Sequence, residues 1–146
     1  MAKSIDQIVT ELADREAIRE LPAQYCDCVW RTDVEGMVDL FTENGSFSIT
    51  ARDEETTTTG RANLHKMYKE ALASVTPRPY IHNHVVDLQG ANHATGRCYV
   101  ELRDASNDMK WIGTGYYHDD YAKVGDRWKF QSRKFKAVRF DPREPK

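Results

Sequence analysis

Two histidines separated by one residue, His82 and His84, are the sharpest chemical feature of this sequence. The run Tyr80–Leu88 is predicted to be a strand, in which alternate side chains point to the same face. Both imidazoles are therefore expected to lie beside Val86 and Leu88. An imidazole among apolar side chains can stay neutral near physiological pH and act as a general base. Either histidine could have this role while the other makes a structural hydrogen bond to a backbone carbonyl.

The same pair could also begin a metal site, because two imidazoles on one strand face are a common ligand pair. A third ligand is needed, and Asp87 is predicted to point to the other face. His118 or Asp120 could supply one only if the tertiary fold happened to bring it close. No metal is therefore predicted. The sequence also has no glycine-rich phosphate loop and no nucleophile elbow, so no cofactor is expected.

A base of this kind needs an acidic partner or an oxygen-polarising group, and the N-terminal third offers Asp33 and Tyr25. A carboxylate from Asp33 could orient the imidazole, although the same residue is well placed to cap a short helix. The Tyr25 phenol could donate a hydrogen bond to a developing oxyanion in a dry pocket. The alternative for Tyr25 is a core position with its hydroxyl satisfied.

Aromatic residues that could bind a flat or cyclic ligand are spread over the chain: Trp30, Trp111, Tyr117 and Phe135. Regular strand alternation predicts one face carrying Trp111, Gly113, Gly115 and Tyr117, where the glycines would leave space between the rings or permit the sheet to bend. Arg133 is two residues from Phe135, so both should share a face. There Arg133 could bind a carboxylate, phenolate or enolate, or lie on an exposed rim.

The elements that must position these groups are helices first and strands afterwards. Apolar residues at steps of three and four predict helices over Ser4–Trp30, with a kink or break before Pro22, and over Val34–Phe41 and Arg61–Ser74. Strands are predicted at Ser46–Thr50, Thr56–Thr59, Tyr80–Leu88, His93–Arg103, Met109–Val124 and Arg127–Phe140. This order indicates an α+β domain, with a curved mixed or antiparallel sheet wrapped around N-terminal helices and enclosing an apolar pocket.

Composition restricts the class of protein further. The 146 residues, 40% hydrophobic and 30% charged, fit a single domain over residues 1–146. A formal net charge of −2 gives no general attraction to nucleic acid or to an anionic membrane. Residues 1–6 are polar and resemble no signal peptide, and Cys26, Cys28 and Cys98 are expected to be reduced thiols. These features predict a cytoplasmic protein.

The order and residue content of these segments resemble the SnoaL-like group of the nuclear transport factor 2-like superfamily over nearly the whole chain. The residues that carry the resemblance are Asp14 to Leu21, Tyr25, Arg31 to Asp33, Asp39 to Gly45, His84 to Leu88, Ala94 to Tyr99, Tyr116 and Tyr117, Asp119, Tyr121, and Asp126 to Phe130. The resemblance implies a cone-shaped six-stranded sheet around an apolar pocket. It also implies proton chemistry on a carbon skeleton without a cofactor, as in scytalone dehydratase, bile-acid dehydratase, hexachlorocyclohexane dehydrochlorinase, ketosteroid isomerase and the polyketide cyclases.

One departure from the family pattern concerns the acidic partner. Counting without gaps from Ile18 places Trp30 where the family dehydratases carry an aspartate, and Asp27 and Asp33 are the nearest carboxylates. The leading hypothesis is a cofactor-independent lyase or isomerase acting on a small cyclic or aromatic hydrophobic substrate. The alternative is a non-catalytic ligand-binding or assembly subunit of the same fold. Relatives associate through the outer face of the sheet, which implies a homodimer or homotrimer.

Overall fold

A computed structural model describes residues 2–141 of the chain. Within these residues the helices are α1 (Ile5–Arg31), α2 (Val34–Asp39) and α3 (Arg61–Ser74). The strands are β1 (Phe41–Ala51), β2 (Glu54–Thr59), β3 (Pro77–Leu88), β4 (His93–Asp104), β5 (Lys110–Val124) and β6 (Arg127–Phe140). A short 3-10 helix, Ala105–Asn107, joins β4 to β5. None of the helices in this range is long and apolar enough to cross a membrane.

Helix α1 is set by local sequence signals at both of its ends. Ser4 and Gln7 form a capping box at its start, and Thr32 ends it in the left-handed conformation with φ of 55°. The buried stripe along its length is the one that the spacing predicts: Ile18, Leu21, Tyr25 and Val29. No break occurs at Pro22, because the buried residues on both sides hold the two halves against the sheet and only one helical hydrogen bond is lost.

The strands form one curved, unclosed sheet in this part of the chain, in the order β2-β1-β6-β5-β4-β3. All neighbours are antiparallel except β1 and β6, which run parallel. The helices cover the inner face of the sheet, and the core lies between the two layers. The predicted α+β class with a mixed curved sheet is therefore confirmed.

The region between α2 and β1 differs from the prediction. Helix α2 begins after Asp33, as expected, but it ends at Asp39, and Phe41 already belongs to β1. Phe41 is fully buried and pairs with Phe130 of β6, so burial in the sheet outweighs the helical spacing that linked Phe41 to Met37 and Val38.

A β-bulge in β3 decides which of its side chains point inward. Ile81 pairs with Val100 and His84 with Cys98, so His82 and Asn83 together lie opposite a single residue of β4. The prediction that His82 and His84 share a face is wrong, because the extra residue reverses the alternation between them.

A second bulge of this kind lies at the start of β5. There Leu102 pairs with Gly113 and Arg103 with Trp111, which leaves Ile112 as the extra residue. The prediction that Trp111 shares a face with Gly113 and Tyr117 is wrong for the same reason. Ile112 takes the inward position and is buried.

Candidate functional site

An apolar cavity of about 280 Å³ lies between the helices and the inner face of the sheet. Its wall is formed by residues from α1, α2 and α3 and by inward positions of every strand except β2, and it includes Tyr25, Met67, Tyr68, Tyr117, Phe135 and Ala137. This volume is close to the lower end of the range for small-molecule sites, and the apolar wall suits a small ring compound.

Two tyrosine hydroxyls are the polar groups that meet in this wall. The Tyr25 hydroxyl of α1 donates a hydrogen bond to the Tyr68 hydroxyl of α3 over 3.1 Å. Burial raises the pKa of Tyr25 to about 12, so the phenol stays protonated. Because Tyr25 uses its proton on Tyr68, the Tyr68 proton is the one left to donate to a ligand.

Arg133 lies behind the cavity wall and is 0% exposed. Its guanidinium carbon is 3.6 Å from the centre of the Tyr117 ring and 4.4 Å from that of Tyr25, which are both wall residues. The three guanidinium nitrogens have no hydrogen-bond partner within the described residues. Arg133 and Phe135 both point inward, as their two-residue spacing predicts. The cation is therefore held by aromatic faces and by one carboxylate.

That carboxylate is Asp119, which faces Arg133 across β5 and β6 with 3.6 Å between Oδ1 and Nε. Burial raises the pKa of Asp119 to about 6, although Arg133 and the Tyr121 hydroxyl act in the opposite direction. Burial disfavours the charge on Arg133, but Asp119 and the surrounding tyrosines offset this and leave its pKa above the usual value. At neutral pH the two groups form a buried ion pair.

His84 is connected to this pair through Tyr121. The Tyr121 hydroxyl donates to Asp119 Oδ2 over 3.0 Å and lies 2.9 Å from His84 Nε2. Burial lowers the pKa of His84 to about 4, and Arg133 and Arg19 act in the same direction. The imidazole is therefore neutral at physiological pH, the form that a general base requires.

His84 is half-buried and does not itself line the apolar cavity. It lies in one row across the sheet with Cys98, Tyr117 and Phe135, and the last two of these are wall residues. Cys98 alone separates the imidazole from the Tyr117 position along this row, and its side chain is small. The histidine therefore lies two strands from Tyr117, beyond the β3 side of the cavity wall.

Two residues predicted to be catalytic are placed elsewhere. His82 lies on the outer face, where its side chain is 58% exposed and Nε2 is 3.6 Å from Glu101. Asp33 caps α2, with Oδ1 accepting from the Gly36 N–H and Oδ2 from Arg31. Both oxygens of Asp33 are thus engaged at the start of α2, outside the cavity wall. Neither residue is brought together with His84.

Two of the predicted aromatic residues also lie outside the cavity. Trp30 is 37% exposed, and its indole N–H donates to the Pro79 carbonyl over 2.7 Å, which ties α1 to the start of β3. Trp111 is turned to the outer face by the β5 bulge, where the Arg139 guanidinium lies 5.6 Å from its ring centre. Tyr117 and Phe135 do line the cavity, with 5.2 Å between their ring centres.

Sequence reasoning alone gives no catalytic or binding role to Asp119, Tyr121 or Tyr68. A signal for the first two was present, because Asp119 and Tyr121 continue the inward alternation that starts at Tyr117. A carboxylate at an inward position of one strand and an arginine at an inward position of the next predict a buried ion pair once the two strands are paired. Tyr68 lies in the buried stripe of α3, and its helical spacing is explained by packing alone.

The histidine pair offers no metal site in this fold, because His82 and His84 are on opposite faces of β3. Within residues 2–141 no group of three His, Cys, Asp or Glu side chains converges closely enough to hold a metal ion.

Comparison with protein families gives one decisive match. The model of the SnoaL-like domain matches residues 10–134, which is most of the chain. The chain belongs to the SnoaL-like domain family. Comparison with functionally curated proteins gives no significant match.

Solved structures similar to this SnoaL-like domain include a single-substitution variant of Rv3472 from Mycobacterium tuberculosis, a protein of unknown function. It is 25% identical, with a TM-score of 0.81 over 91% of this chain and 76% of that chain. A candidate scytalone dehydratase from Novosphingobium aromaticivorans is 21% identical, with a TM-score of 0.78 over 95% of this chain and 93% of that one. A hexachlorocyclohexane dehydrochlorinase, LinA type 2, is 17% identical, with a TM-score of 0.79 over 94% of both chains. At these identities the last two likenesses concern the fold of the SnoaL-like domain alone.

Proposed function

We propose that this SnoaL-like protein is a cofactor-independent lyase or isomerase that removes a proton from a small cyclic or aromatic hydrophobic compound. The observation that carries the proposal is a neutral, half-buried histidine, His84, beside an apolar cavity with a buried cation behind its wall. The names of two similar structures denote a dehydratase and a dehydrochlorinase, and both eliminations require removal of a proton from carbon.

In this proposal the ring of the substrate occupies the cavity between Tyr68 and Phe135. The carbon that loses its proton faces the β3 side of the cavity, toward His84. Proton removal next to a carbonyl leaves negative charge on the oxygen, and the free hydroxyl proton of Tyr68 is available to bind it. The positive charge of Arg133 behind Tyr117 stabilises the same developing anion through a low-dielectric interior.

A second candidate function is supported by one specific observation. His84 is not part of the cavity wall, so a ligand could be bound in the cavity without touching the histidine. In that case the protein is a binding module for small apolar rings, and the His84 side chain has a structural role beneath α1.

Deuterium exchange into a cyclic ketone separates the two candidates without knowledge of the natural substrate. Tetralone or cyclohexenone in D₂O is followed by proton NMR, because a base that acts on carbon catalyses exchange of the protons next to the carbonyl. His84→Gln should slow the exchange by about a hundredfold or more, the range for loss of a general base. His82→Gln is the matched control on the same strand and should leave the rate unchanged.

Two other outcomes would count against the enzyme. Equal exchange rates for the wild type and His84→Gln would exclude His84 as the base. Saturable binding of naphthol without any exchange would favour the binding module.

A further inference from the structure

Four side chains form a continuous chain of polar contacts across the inner face of the sheet. Nε2 of His84 meets the Tyr121 hydroxyl, the hydroxyl donates to Asp119 Oδ2, and Asp119 Oδ1 faces Nε of Arg133. Asp119, Tyr121 and Arg133 are all buried, so water does not compete for these contacts. The hydrogen bonds along this chain run in one direction, because each group determines where the proton of the next group lies.

We propose that Asp119 and Tyr121 are positioning residues that fix the proton of His84 on Nε2 and leave Nδ1 as the accepting atom of the imidazole. In this role Asp119 orients the imidazole from β5 through the Tyr121 hydroxyl. A carboxylate on α1 would orient it by direct contact. A catalytic role for these two residues rests on the proposed function. The hydrogen-bond arrangement itself is independent of that function.

The direction of these hydrogen bonds follows from which groups can donate a proton and which can only accept one. Arg133 has only donors, so it requires an acceptor from Asp119. The ionised carboxylate is acceptor-only, so the single proton of the Tyr121 hydroxyl must go to Asp119 Oδ2. The Tyr121 oxygen is then an acceptor toward His84, and Nε2 must carry the hydrogen. Within residues 2–141 no hydrogen bond is made to Nδ1, which keeps its lone pair.

The space for this chain is provided by Gly96 of β4. A Cβ atom at this position would lie 3.0 Å from Cε2 and 3.1 Å from the hydroxyl of Tyr121, and 2.7 Å from the Val85 carbonyl oxygen. Any other residue would push the Tyr121 ring away from the sheet. The close approach of Tyr121 to β3, and hence its contact with His84, therefore depends on a residue that has no side chain.

Asp119→Asn tests the proposal, because it should reverse the donor and acceptor in each hydrogen bond from residue 119 to His84. The donor-only Arg133 attracts the oxygen of the new amide group, which leaves the amide N–H₂ facing Tyr121. The Tyr121 oxygen then accepts from this amide, its proton goes to His84 Nε2, and the His84 proton moves to Nδ1. The readout is the tautomer of His84, measured at neutral pH by nitrogen-15 NMR of the imidazole, which distinguishes a protonated nitrogen from a bare one.

The expected result is the Nε2–H tautomer in the wild-type protein and the Nδ1–H tautomer in Asp119→Asn. Tyr121→Phe should give a mixture, because the imidazole loses its partner, and Tyr116→Phe on the outer face of β5 is the matched control with no change. If Asp119→Asn does not fold, the comparison of the wild type with Tyr121→Phe decides the question. The same tautomer in every folded variant would overturn the proposal. Deuterium exchange that is insensitive to His84→Gln would instead contradict the proposed function and leave the tautomer assignment standing.

Discussion

The guanidinium of Arg133 lies 3.6 Å from the centre of the Tyr117 ring, directly behind the wall of the apolar cavity. A buried cation in contact with three aromatic rings and one carboxylate is an unusual core for a small domain. Among the described residues Asp119 is the carboxylate that balances its charge, so the two residues depend on each other for stability.

Removing the cation tests this dependence. Arg133→Met should lower the free energy of unfolding by about 3–5 kcal/mol at pH 7, because it leaves Asp119 as an unpaired buried carboxylate. Urea denaturation measures the change. Arg139→Met, at an exposed arginine over Trp111, is the control and should change stability by less than about 0.5 kcal/mol.

A second substitution should recover part of that loss. Arg133→Met combined with Asp119→Asn removes both charges, so the double variant should be more stable than Arg133→Met alone. The single variant should also become relatively more stable as the pH is lowered, since the unpaired carboxyl of Asp119 can then take up a proton. Additive losses in the double variant would show that the two charges are not coupled.

The exchange reaction should depend on pH through two groups, the half-buried His84 and the buried Asp119. The groups that face His84 are Arg19 from α1, Tyr121 and Asp119 from β5, and Arg133 from β6. As the pH falls, Asp119, with a pKa of about 6, takes up a proton before His84, whose pKa is about 4. The neutral imidazole is the active form, so kcat/KM should be constant at neutral pH and fall as the pH approaches the His84 value of about 4. An acid limb centred at the ordinary imidazole value of 6.5 or above would contradict a depressed pKa for His84.

Filling the cavity should weaken ligand binding. Ala137→Leu occupies part of the space at β6 and should reduce the affinity for naphthol roughly tenfold or more, equivalent to about 1.4 kcal/mol. The added side chain should leave the free energy of unfolding unchanged or raise it by about 0.5–2 kcal/mol. Ala23→Leu, at an exposed position of α1 outside the cavity, is the matched control for both measurements. Unchanged naphthol affinity in Ala137→Leu would mean that the ligand binds elsewhere.

A side chain at Gly96 should disturb both stability and the histidine. Gly96→Ala should destabilise the protein by about 1–3 kcal/mol, because the new methyl group meets the Val85 carbonyl and the Tyr121 ring. Tyr121 should move away from His84, and the imidazole should show the same tautomer mixture as in Tyr121→Phe. A fully stable Gly96→Ala protein with an unchanged tautomer would show that the ring tolerates the methyl group in place.

Much of the fold could be predicted from local sequence signals. Helix α3 and strand β6 have the boundaries that apolar periodicity and turn residues indicate. The turn between β5 and β6 follows from Gly125, whose φ of 64° suits the two-residue hairpin. These features depend on residues close together in the chain, and their spacing is sufficient to define them. The homodimer or homotrimer stays a prediction.

The candidate site is harder to predict from local sequence signals than the fold is. Regular alternation assigns Trp111 and His82 to the inner face, and a single extra residue in each strand reverses both assignments. Bulges leave little local signature, because they are selected by how paired strands twist and pack rather than by the composition of one strand. The pairing of Asp119 with Arg133 required the register of β5 and β6, which the sequence of neither strand contains.

The β3 bulge has a consequence for how this site could be gained or lost. If the same residues alternated regularly from Ile81, without the bulge, Asn83 would take the inward position and His84 would point outward. The histidine of this chain therefore reaches the interior because His82 and Asn83 together lie opposite a single residue of β4. Loss of one residue, either His82 or Asn83, would remove the bulge and leave His84 two positions after Ile81, so the imidazole would still face the interior.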